Sequence, residues 1–392
     1  MIKTIAELPI EKKKVFIRVD FNVSFDEKGD IIDDTRIRSV LPTIEYALAN
    51  DSKVILASHL GRPKGSPNPK YSLMPVAEHL SKLINRDVIL PEDCIGDAVK
   101  KLTGEMREGE VILLENLRFH AEEEKNDPSF SEKLASLAEV YVNDAFGTLH
   151  RAHASTVGMV KHFQQRGTGF LVKKEVDYLS KVLDNPERPL VAILGGAKVS
   201  DKLAVVEYLL SKVDALLIGG AMSYTFLKAA GVEVGNSLVD ENKIHLAAKF
   251  LERAKVKNIP LLLPVDHRVA EKIGSDIPSK IVEGGIPAGY MGLDIGPKTI
   301  ESFSRALSEC KTIIWNGPLG VYETPPFNEG TLAMAGAIAK TKAVSVIGGG
   351  DSAAAVMEAG VVDKISHIST GGGATLACLE GKILPGLQAL KY

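Results

Sequence analysis

Cysteine is scarce in this sequence of 392 residues. Its three cysteines, Cys94, Cys310 and Cys378, are far apart and do not show the spacing that is typical of a metal site. The pattern therefore indicates neither a disulfide framework nor a cysteine-rich metal centre. We expect reduced thiols in a cytosolic protein.

Long apolar runs and an excess of one charge are also missing. No stretch approaches the roughly 20 apolar residues that a membrane-spanning helix needs, and residues 1–14 lack the apolar core of a signal peptide. Basic and acidic side chains nearly balance, at 47 against 50, which gives a net charge of −3. We therefore expect a cytoplasmic protein that binds neither nucleic acid nor membrane.

Familiar nucleotide-binding signatures are absent as well. The segment 195–202 lacks the Gly-Lys-Ser/Thr ending of a Walker A loop, and no protein-kinase Asp-Phe-Gly signature occurs. The spacing of Gly348, Gly350 and Ala353 formally fits the dinucleotide fingerprint. However, this match follows the fifth apolar run of the second half of the chain. In dinucleotide-binding domains the fingerprint lies in the first βα unit. A nicotinamide-dependent dehydrogenase is kept as an alternative.

The main feature of the sequence is the alternation of short apolar runs with longer helical patterns. The composition, 45% hydrophobic and 25% charged, is ordinary for a globular protein. Helical patterns include 200–212, 241–254 and 329–340. The alternation predicts parallel strands that are covered on both faces. The predicted strands are 15–19, 54–58, 111–114, 140–142, 190–194, 215–218, 260–263, 312–314, 343–347 and 365–368.

Both halves show this alternation, which predicts two similar α/β domains. A boundary is expected near residues 167–169, where two glycines flank Thr168. The pattern at 173–183 predicts a connecting helix, which Pro186 and Pro189 end before the next strand.

Polar and cationic residues follow the predicted strands of the first half. Ligands of open α/β sheets bind beyond the carboxyl ends of the strands, so these side chains are expected to lie together. Arginine forks match the geometry of phosphate and carboxylate groups. The pattern favours a site for a small, multiply anionic molecule. The residues are Asp20, Asn22, Arg36, Arg38, His59, Arg62, Arg118, His150, Arg151 and His153.

Glycine follows the predicted strands of the second half instead. Two triple-glycine runs, 348–350 and 371–373, predict turns that lead into helices. The exposed N–H groups at the start of a helix favour the binding of anions. Lys198 and Lys202 are four apart, one turn of a helix that opens after Val199, and are expected to face the same phosphate. We expect Asp351 to reach a Mg²⁺ ion that neutralises this phosphate. One domain that binds a compact anion and a second that binds a nucleotide would together suit an enzyme of phosphoryl transfer.

Nine motifs in order along nearly the whole chain resemble the phosphoglycerate kinase family. They are RVDFN at 18–22, DTRIR at 34–38, SHLGRP at 58–63, VNDAFG at 142–147, HRAH at 150–153, GGAK at 195–198, WNGP at 315–318, GGGDS at 348–352 and STGGG at 369–373.

The resemblance implies a hinge-bending, monomeric enzyme made of two Rossmann-like three-layer domains with parallel sheets, joined by a hinge helix. It implies an N-terminal domain at 1–170, an interdomain helix at 171–185 and a nucleotide-binding domain at 186–380. A C-terminal segment at 381–392 would return to the first domain. The implied reaction interconverts 1,3-bisphosphoglycerate and ADP with 3-phosphoglycerate and ATP, in glycolysis and gluconeogenesis, with Mg²⁺ carried by the nucleotide.

The resemblance also implies a role for each residue of the first site. Asp20 and Asn22 would contact the hydroxyl and carboxyl end of the phosphoglycerate, and Arg36 would approach the transferring phosphoryl group. Further substrate-binding residues would be Phe21, Leu60 and Gly61. The phosphate that is not transferred would be held by His59, Arg62, Arg118 and Arg151.

On the nucleotide side the resemblance implies that Lys198 meets the transferring phosphoryl group and Lys202 the nucleotide phosphates. Glu323 would bind the ribose, and Asp351 the metal–nucleotide. The backbone at Gly349 and Gly372 would face the developing charge. The base pocket would comprise Gly219, Gly220, Gly292 and Leu293, with Gly350 and Ser352 as further nucleotide-binding residues.

A non-catalytic nucleotide-binding or scaffold protein is a second alternative. A protein of that kind is expected to lack Arg36, Lys198 or Asp351, and all three residues are present in this chain. No general base stands out in the sequence, and the implied reaction needs none, because its acceptor is already a carboxylate.

Overall fold

The computed structural model describes residues 2–392, which form two units. The first comprises the described residues up to Val176 together with Ile383–Tyr392, and the second comprises Asp177–Lys382. The division falls inside the helix Phe170–Leu183, so one helix belongs to both units.

The first unit is built on a seven-stranded sheet in which every pair is parallel. Its strands are β1 Lys3–Thr4, β2 Lys14–Arg18, β3 Lys53–Ala57, β4 Val88–Ile89, β5 Val111–Leu113, β6 Val140–Asn143 and β7 Gln165–Thr168. They lie in the order β1-β7-β6-β2-β3-β5-β4. The four predicted strands are β2, β3, β5 and β6. The other three have only two residues or are polar, and do not stand out in the sequence.

Both faces of this sheet are covered, as the apolar runs predicted. Along β2, Val15 and Ile17 belong to one hydrophobic cluster, while Phe16 between them belongs to another. In the same way, Val54 on β3 packs on the first face and Ile55 on the second. Because successive side chains point to opposite faces, a sheet that is buried on both sides needs an unbroken apolar run.

The second unit contains a six-stranded parallel sheet and a three-stranded antiparallel sheet. The strands are β8 Leu190–Leu194, β9 Ala215–Ile218, β10 Leu261–Leu262, β11 Asp266–Ala270, β12 Lys280–Glu283, β13 Met291–Ile295, β14 Thr312–Asn316, β15 Val344–Gly348 and β16 His367–Ile368. The parallel order is β10-β9-β8-β14-β15-β16, and the antiparallel order is β12-β11-β13. All six predicted strands of this half are in the parallel sheet. The antiparallel sheet was not predicted.

Helices cover the sheets, and at least one of them begins at a side chain that caps its first turn. Asp127, for example, accepts the N–H of Phe130 at 2.9 Å, and Pro128 fills the first position of its helix. The α-helices of residues 2–392 are α1 Thr35–Ala49, α2 Met74–Ile84, α3 Asp97–Gly104, α4 Ala121–Glu124, α5 Pro128–Ala135, α6 Phe170–Leu183, α7 Leu203–Leu209, α8 Met222–Ala229, α9 Ile244–Val256, α10 Pro297–Leu307, α11 Glu329–Ala339, α12 Gly350–Glu358, α13 Gly373–Leu379 and α14 Pro385–Ala389. In the described chain, no helix combines the length and apolar character that crossing a membrane requires.

The segment after Lys198 differs from the predicted helix. Val199–Asp201 forms a 3-10 helix, and α7 begins only at Leu203, after Lys202. The two lysines therefore do not lie one α-helical turn apart, because a 3-10 turn is tighter and rises more steeply.

The C-terminal segment packs on the first unit. Leu390 lies in the same cluster as Phe16, and the N–H of Gly386 donates to the carbonyl of Leu149 at 3.0 Å. The hydroxyl of Tyr392 donates to the carbonyl of Arg166 at 2.8 Å.

Candidate active site

The carboxyl ends of four neighbouring strands form one edge of the first sheet. Arg18, the last residue of β2, is in register with Ala57 at the end of β3 and with Asn143 at the end of β6. Leu56 is in register with Leu113 at the end of β5. The loops that carry the predicted anion-binding side chains therefore leave the sheet at the same level.

Asp20 and Asn22 organise the loop after β2. Asp20 Oδ2 accepts from Arg36 Nη1 at 2.8 Å, with the aspartate 13% and the arginine 40% exposed. Asn22 Oδ1 accepts the N–H of Gly61 at 2.8 Å, which ties this loop to the one after β3. Arg36 is thus held at the edge of the sheet by Asp20, and its side chain remains partly exposed to solvent.

Phe21 and Leu60 have their side chains in the hydrophobic core and not at the surface of the site. The N–H of Phe21 donates to Ser58 Oγ at 2.9 Å, and the N–H of Leu60 donates to Asn116 Oδ1 at 3.1 Å. These two residues shape the loops, so any contact with a ligand is through their backbone.

His59 is a neutral imidazole in this setting. It is 5% exposed, and its Nδ1 lies 3.3 Å from Arg18 Nη2 and 3.9 Å from Asp20 Oδ1. Burial, together with the positive charge of Arg18, Arg118, Arg151 and Arg36, holds the pKa of His59 well below its usual value. The arginines therefore carry the positive charge of this site.

Arg118 and Arg151 are fixed by different contacts. Arg118 Nη1 donates to the carbonyl of Gly61 at 2.9 Å, and its Nε lies 3.1 Å from Glu124 Oε1. Burial lowers the pKa of Arg118, and the Glu124 carboxylate opposes that shift. Arg151 Nε donates to His150 Nε2 at 3.2 Å. Arg62 is exposed.

Arg18 is a residue of this site to which sequence reasoning gave no role. It is 1% exposed, and its Nε donates to Ser155 Oγ at 2.8 Å. Ser155 in turn donates from Oγ to the buried carboxylate of Glu123 at 2.6 Å. The signal was available, because an arginine inside an otherwise apolar buried strand needs a buried partner or a ligand.

Glycine turns mark the corresponding edge of the parallel sheet in the second unit. Leu194, Asn316 and Gly348 end neighbouring strands in register, and Ile218 is in register with Leu194. Gly349 has φ +95° and precedes α12, and Gly372 has φ +48° and precedes α13. Only glycine adopts such conformations at little cost. Each turn therefore opens a helix with its backbone accessible.

A cavity of about 490 Å³ lies at this edge. Four of the predicted nucleotide-binding residues line it: Gly292, Leu293, Glu323 and Asp351. A Cβ on Gly292 would lie 2.1 Å from the hydroxyl of the buried Tyr224. The packing therefore requires glycine at this wall.

An adjoining cavity of about 410 Å³ contains Lys198 and shares Ala197 and Leu238 with the first. Lys202 lies nearby, at the start of α7. Burial lowers the pKa of Lys202 to about 8, although the charges of Asp201, Glu380 and Asp351 oppose the shift. A partly desolvated ammonium of this kind favours an anionic partner.

Four other predicted residues are placed differently. Gly219 and Gly220 are buried, and the neighbouring Ala221 is the residue that lines the cavity. Ser352 is buried, and its hydroxyl accepts the N–H of Gly317 at 2.8 Å, so it holds the turn after β14. A Cβ on Gly350 would meet open space.

Sequence reasoning missed an apolar rim. Leu238 and Ile273 line the larger cavity, although they are 54% and 55% exposed. Exposed apolar side chains beside a concave surface are typical of ligand sites. No local pattern could predict their position, because they lie on irregular loops.

A family model described as phosphoglycerate kinase matches residues 5–382. A phosphoglycerate kinase of Anaeromyxobacter sp. (strain Fw109-5) is 56% identical over 394 residues, covering 100% of this chain and 99% of the relative. Cytosolic phosphoglycerate kinase 3 of Arabidopsis thaliana is 54% identical over 393 residues, with coverage of 99% and 98%. The solved structure of phosphoglycerate kinase from Coxiella burnetii superimposes with a TM-score of 0.91 at 39% identity, covering 100% of this chain and 99% of that one.

Proposed function

The chain belongs to the phosphoglycerate kinase family, and we propose that its first unit binds the phosphoglycerate while its second binds the nucleotide. The enzyme is a phosphotransferase of glycolysis. It interconverts 1,3-bisphosphoglycerate and ADP with 3-phosphoglycerate and ATP. The site geometry supports the roles that we propose for individual residues in this reaction.

The arginines at one edge of the first sheet are the observation that carries the assignment of this unit. A phosphoglycerate presents a phosphate and a carboxylate on a three-carbon chain. Guanidinium groups bind both in a two-pronged manner. We assign Arg62, Arg118 and Arg151 to the phosphate that is not transferred, and Asp20 with Asn22 to the hydroxyl and carboxyl end. The neutral His59 contributes a hydrogen bond and no charge.

The larger cavity of the second unit supports nucleotide binding there. Its volume of about 490 Å³ falls within the range of small-molecule sites. We assign Gly292 and Leu293 to the base and Glu323, which is exposed at the cavity, to the ribose hydroxyls. Lys202 would pair with the nucleotide phosphates.

Mg²⁺ fits the residues present. Asp351 offers an exposed carboxylate on the first turn of α12, at the wall of the same cavity. Mg²⁺ is usually bound by one or two carboxylates plus substrate phosphates. Asp351 would therefore hold the metal of the nucleotide, which when bound neutralises phosphate charge.

In this proposal, catalysis depends on aligning the two substrates and on stabilising the charge of the transition state. The acceptor in the ATP-consuming direction is a carboxylate, so no proton has to be removed. Arg36 from one unit and Lys198 from the other would stabilise the charge on the transferring phosphoryl group. The backbone N–H groups at Gly349 and Gly372 would face the same charge from their helix N-termini.

Direct transfer requires the two bound substrates to meet. We propose that the units close on each other when both are occupied, with the interdomain segment 171–185 as the hinge. Closure would also exclude water, which otherwise hydrolyses an acyl phosphate. We further propose a monomer in the cytoplasm, where the name of the Arabidopsis relative places that protein.

A coupled assay tests the function. Purified protein is mixed with 3-phosphoglycerate, Mg²⁺ and ATP, and glyceraldehyde-3-phosphate dehydrogenase reports the product through NADH oxidation. The expected result is activity that requires all three additions. Folded protein that binds Mg-ADP without turnover would contradict the proposal and favour a binding-only role.

Neither alternative from the sequence is retained. The family match contradicts a nicotinamide-dependent dehydrogenase, so the spacing of Gly348, Gly350 and Ala353 is a formal coincidence. Arg36, Lys198 and Asp351, which a decayed enzyme would lack, are all present.

A further inference from the structure

Three side chains of the first unit, outside the proposed substrate site, approach one another closely. Asp93, Cys94 and His120 each offer one ligand atom, and these atoms all lie within 4.8 Å of one another. Among residues 2–392, no other group of three or more acidic, histidine or cysteine side chains meets that criterion. We propose that these three residues form a binding site for a divalent transition metal, with Zn²⁺ as the best match.

The donor set determines the metal class. A thiolate, an imidazole and a carboxylate are the ligands that Zn²⁺ prefers, whereas Mg²⁺ and Ca²⁺ prefer oxygen alone. Three protein ligands leave a fourth tetrahedral position for water. The site therefore resembles an open zinc site in its chemistry, and it differs from the proposed Mg²⁺ position at Asp351.

The ligands come from two separate segments of the chain, so no local sequence motif marks the site. Asp93 and Cys94 lie between β4 and α3, and His120 lies directly before α4. Asp93 Oδ1 is 2.6 Å from His120 Nε2 and accepts the N–H of Cys94 at 2.6 Å. These contacts hold the carboxylate next to both of the other ligands.

The packing around the trio is firm on one side and open on the other. Cys94 is fully buried in a cluster with Leu117 and Phe130, and the Phe130 ring lies 5.2 Å from the His120 ring, centroid to centroid. The side chains of Asp93 and His120 are 47% and 25% exposed. A metal ion can therefore enter from solvent, while the core fixes the thiol.

Binding requires a small rearrangement and the loss of protons. Ligands of a tetrahedral Zn²⁺ ion lie about 3.5 Å apart, so the 2.6 Å contact between Asp93 and His120 has to open by about 1 Å. The ion replaces the proton between these two groups. The Cys94 thiol releases its proton to solvent as sulfur binds.

Spectroscopic titration with Co²⁺ tests the site without any use of activity, so its result is independent of the proposed function. Co²⁺ takes the place of Zn²⁺ and gives a charge-transfer band when a thiolate binds it. The expected result is one Co²⁺ per chain with that band, and its loss on addition of Zn²⁺. No thiolate band at saturating Co²⁺ would overturn the proposal.

Matched variants locate the ligands. Cys310 is also a buried thiol, but it lies in the second unit and outside any three-ligand group in the described residues. Cys310→Ser should keep the band, and Cys94→Ser should lose it. A band that persists in Cys94→Ser would overturn the assignment.

A second pair of variants covers the possibility that Cys94→Ser fails to fold. Asp93→Asn and His120→Asn change partly exposed side chains, and each should weaken Co²⁺ binding at least about tenfold. Circular dichroism checks that both are folded. Unchanged affinity in both folded variants would overturn the proposal.

Discussion

Lys198 provides a direct test of the mechanism at the scale of a single residue. It is exposed beside the glycine turn after β8 and lies in the cavity next to the proposed nucleotide site. In our proposal its ammonium stabilises charge that grows only in the transition state. Lys198→Ala should therefore lower kcat by about 10²-fold or more, the effect of losing a preorganised charge donor. Steady-state kinetics of the coupled assay measure this.

Lys249→Ala is a suitable control for that experiment. Lys249 is an exposed lysine on α9 of the same unit, and it lines neither cavity. Its removal should leave kcat unchanged. A kcat of Lys198→Ala within threefold of the wild-type value would contradict the proposed role.

Lys202 should make nucleotide use dependent on pH. Burial lowers its pKa to about 8 in the free protein, and only the protonated ammonium attracts phosphate. The charge is complete well below pH 8 and is lost as the pH rises through that value. We therefore expect kcat/KM for ADP to fall above pH 8, because this ratio reports the free enzyme.

Lys202→Arg separates this effect from other titrations. A guanidinium remains charged throughout the range, so kcat/KM of the variant should not show the fall above pH 8. The measurement runs from pH 6.5 to 9.5 at constant ionic strength. The same decline in both proteins would assign it to another group.

The success of sequence reasoning at this scale depended on where a residue lies. Side chains directly after buried strands, such as Asn22 and Arg118, could be placed at the sheet edge from the pattern alone. Leu238 could not, because its role depends on a loop conformation that no local pattern encodes. The trio of Asp93, Cys94 and His120 could not either, because it combines segments separated by a strand and a helix.

At the scale of elements, Asp294 joins β13, which lines the proposed nucleotide cavity, to the first turn of α11. It is 1% exposed on β13, next to Leu293, and its Oδ2 accepts the N–H of Gly330 in the first turn of α11 at 2.7 Å. Its Oδ1 accepts the N–H of Ile295 at 2.9 Å. The loop that carries Glu323 runs from β14 to α11, and in it the N–H of Val321 donates to the carbonyl of Leu293 on β13 at 2.8 Å.

Asp294→Asn should weaken nucleotide binding through this link. An amide nitrogen cannot accept an N–H, so one of the two buried hydrogen bonds is lost. Such a loss costs on the order of 1 kcal/mol, and we expect the nucleotide KM to rise about three- to tenfold. The KM for 3-phosphoglycerate should not change, because the proposed phosphoglycerate site belongs to the other unit.

A control and a fold check accompany this variant. Asp363 is an exposed aspartate of the same unit, and Asp363→Asn should leave both KM values unchanged. Thermal unfolding reports whether Asp294→Asn is folded at the assay temperature. A folded variant whose nucleotide KM matches that of wild type would rule out Asp294 as a positioning residue.

The predicted strands in the middle of each parallel sheet share one property, which is burial on both faces. Parallel strands such as β8 and β14 are continuous apolar runs, and they were predicted for that reason. Strands β11 and β12 carry charged side chains and pair antiparallel with each other. Their stability depends on partners distant in sequence, so their local pattern was too weak to predict them.

At the scale of the whole molecule, the two halves are less alike than their patterns suggested. The second unit adds an antiparallel sheet, and its β13 supplies Gly292 and Leu293 to the larger cavity. The last ten residues belong to the first unit, where Leu390 joins the core cluster that includes Phe16. No local pattern in the sequence encodes a contact over that chain distance.

The proposed division of substrates between the units leads to a prediction about the molecule as a whole. If the phosphoglycerate binds to one unit and the nucleotide to the other, transfer needs a state in which both bound groups meet. Small-angle scattering measures such a change as a smaller radius of gyration. Mg-ADP and 3-phosphoglycerate are the appropriate pair, because they cannot react with each other and therefore hold the complex in one state.

We expect the radius of gyration to fall when both ligands are bound and to change much less with either alone. The reason is that each ligand on its own contacts one unit, so it gives the closed arrangement little advantage. The single-ligand samples are the controls. Equal radii for the free and the doubly liganded protein, at concentrations that saturate both sites, would contradict closure. Direct transfer would then require the two sites to face each other already in the free protein.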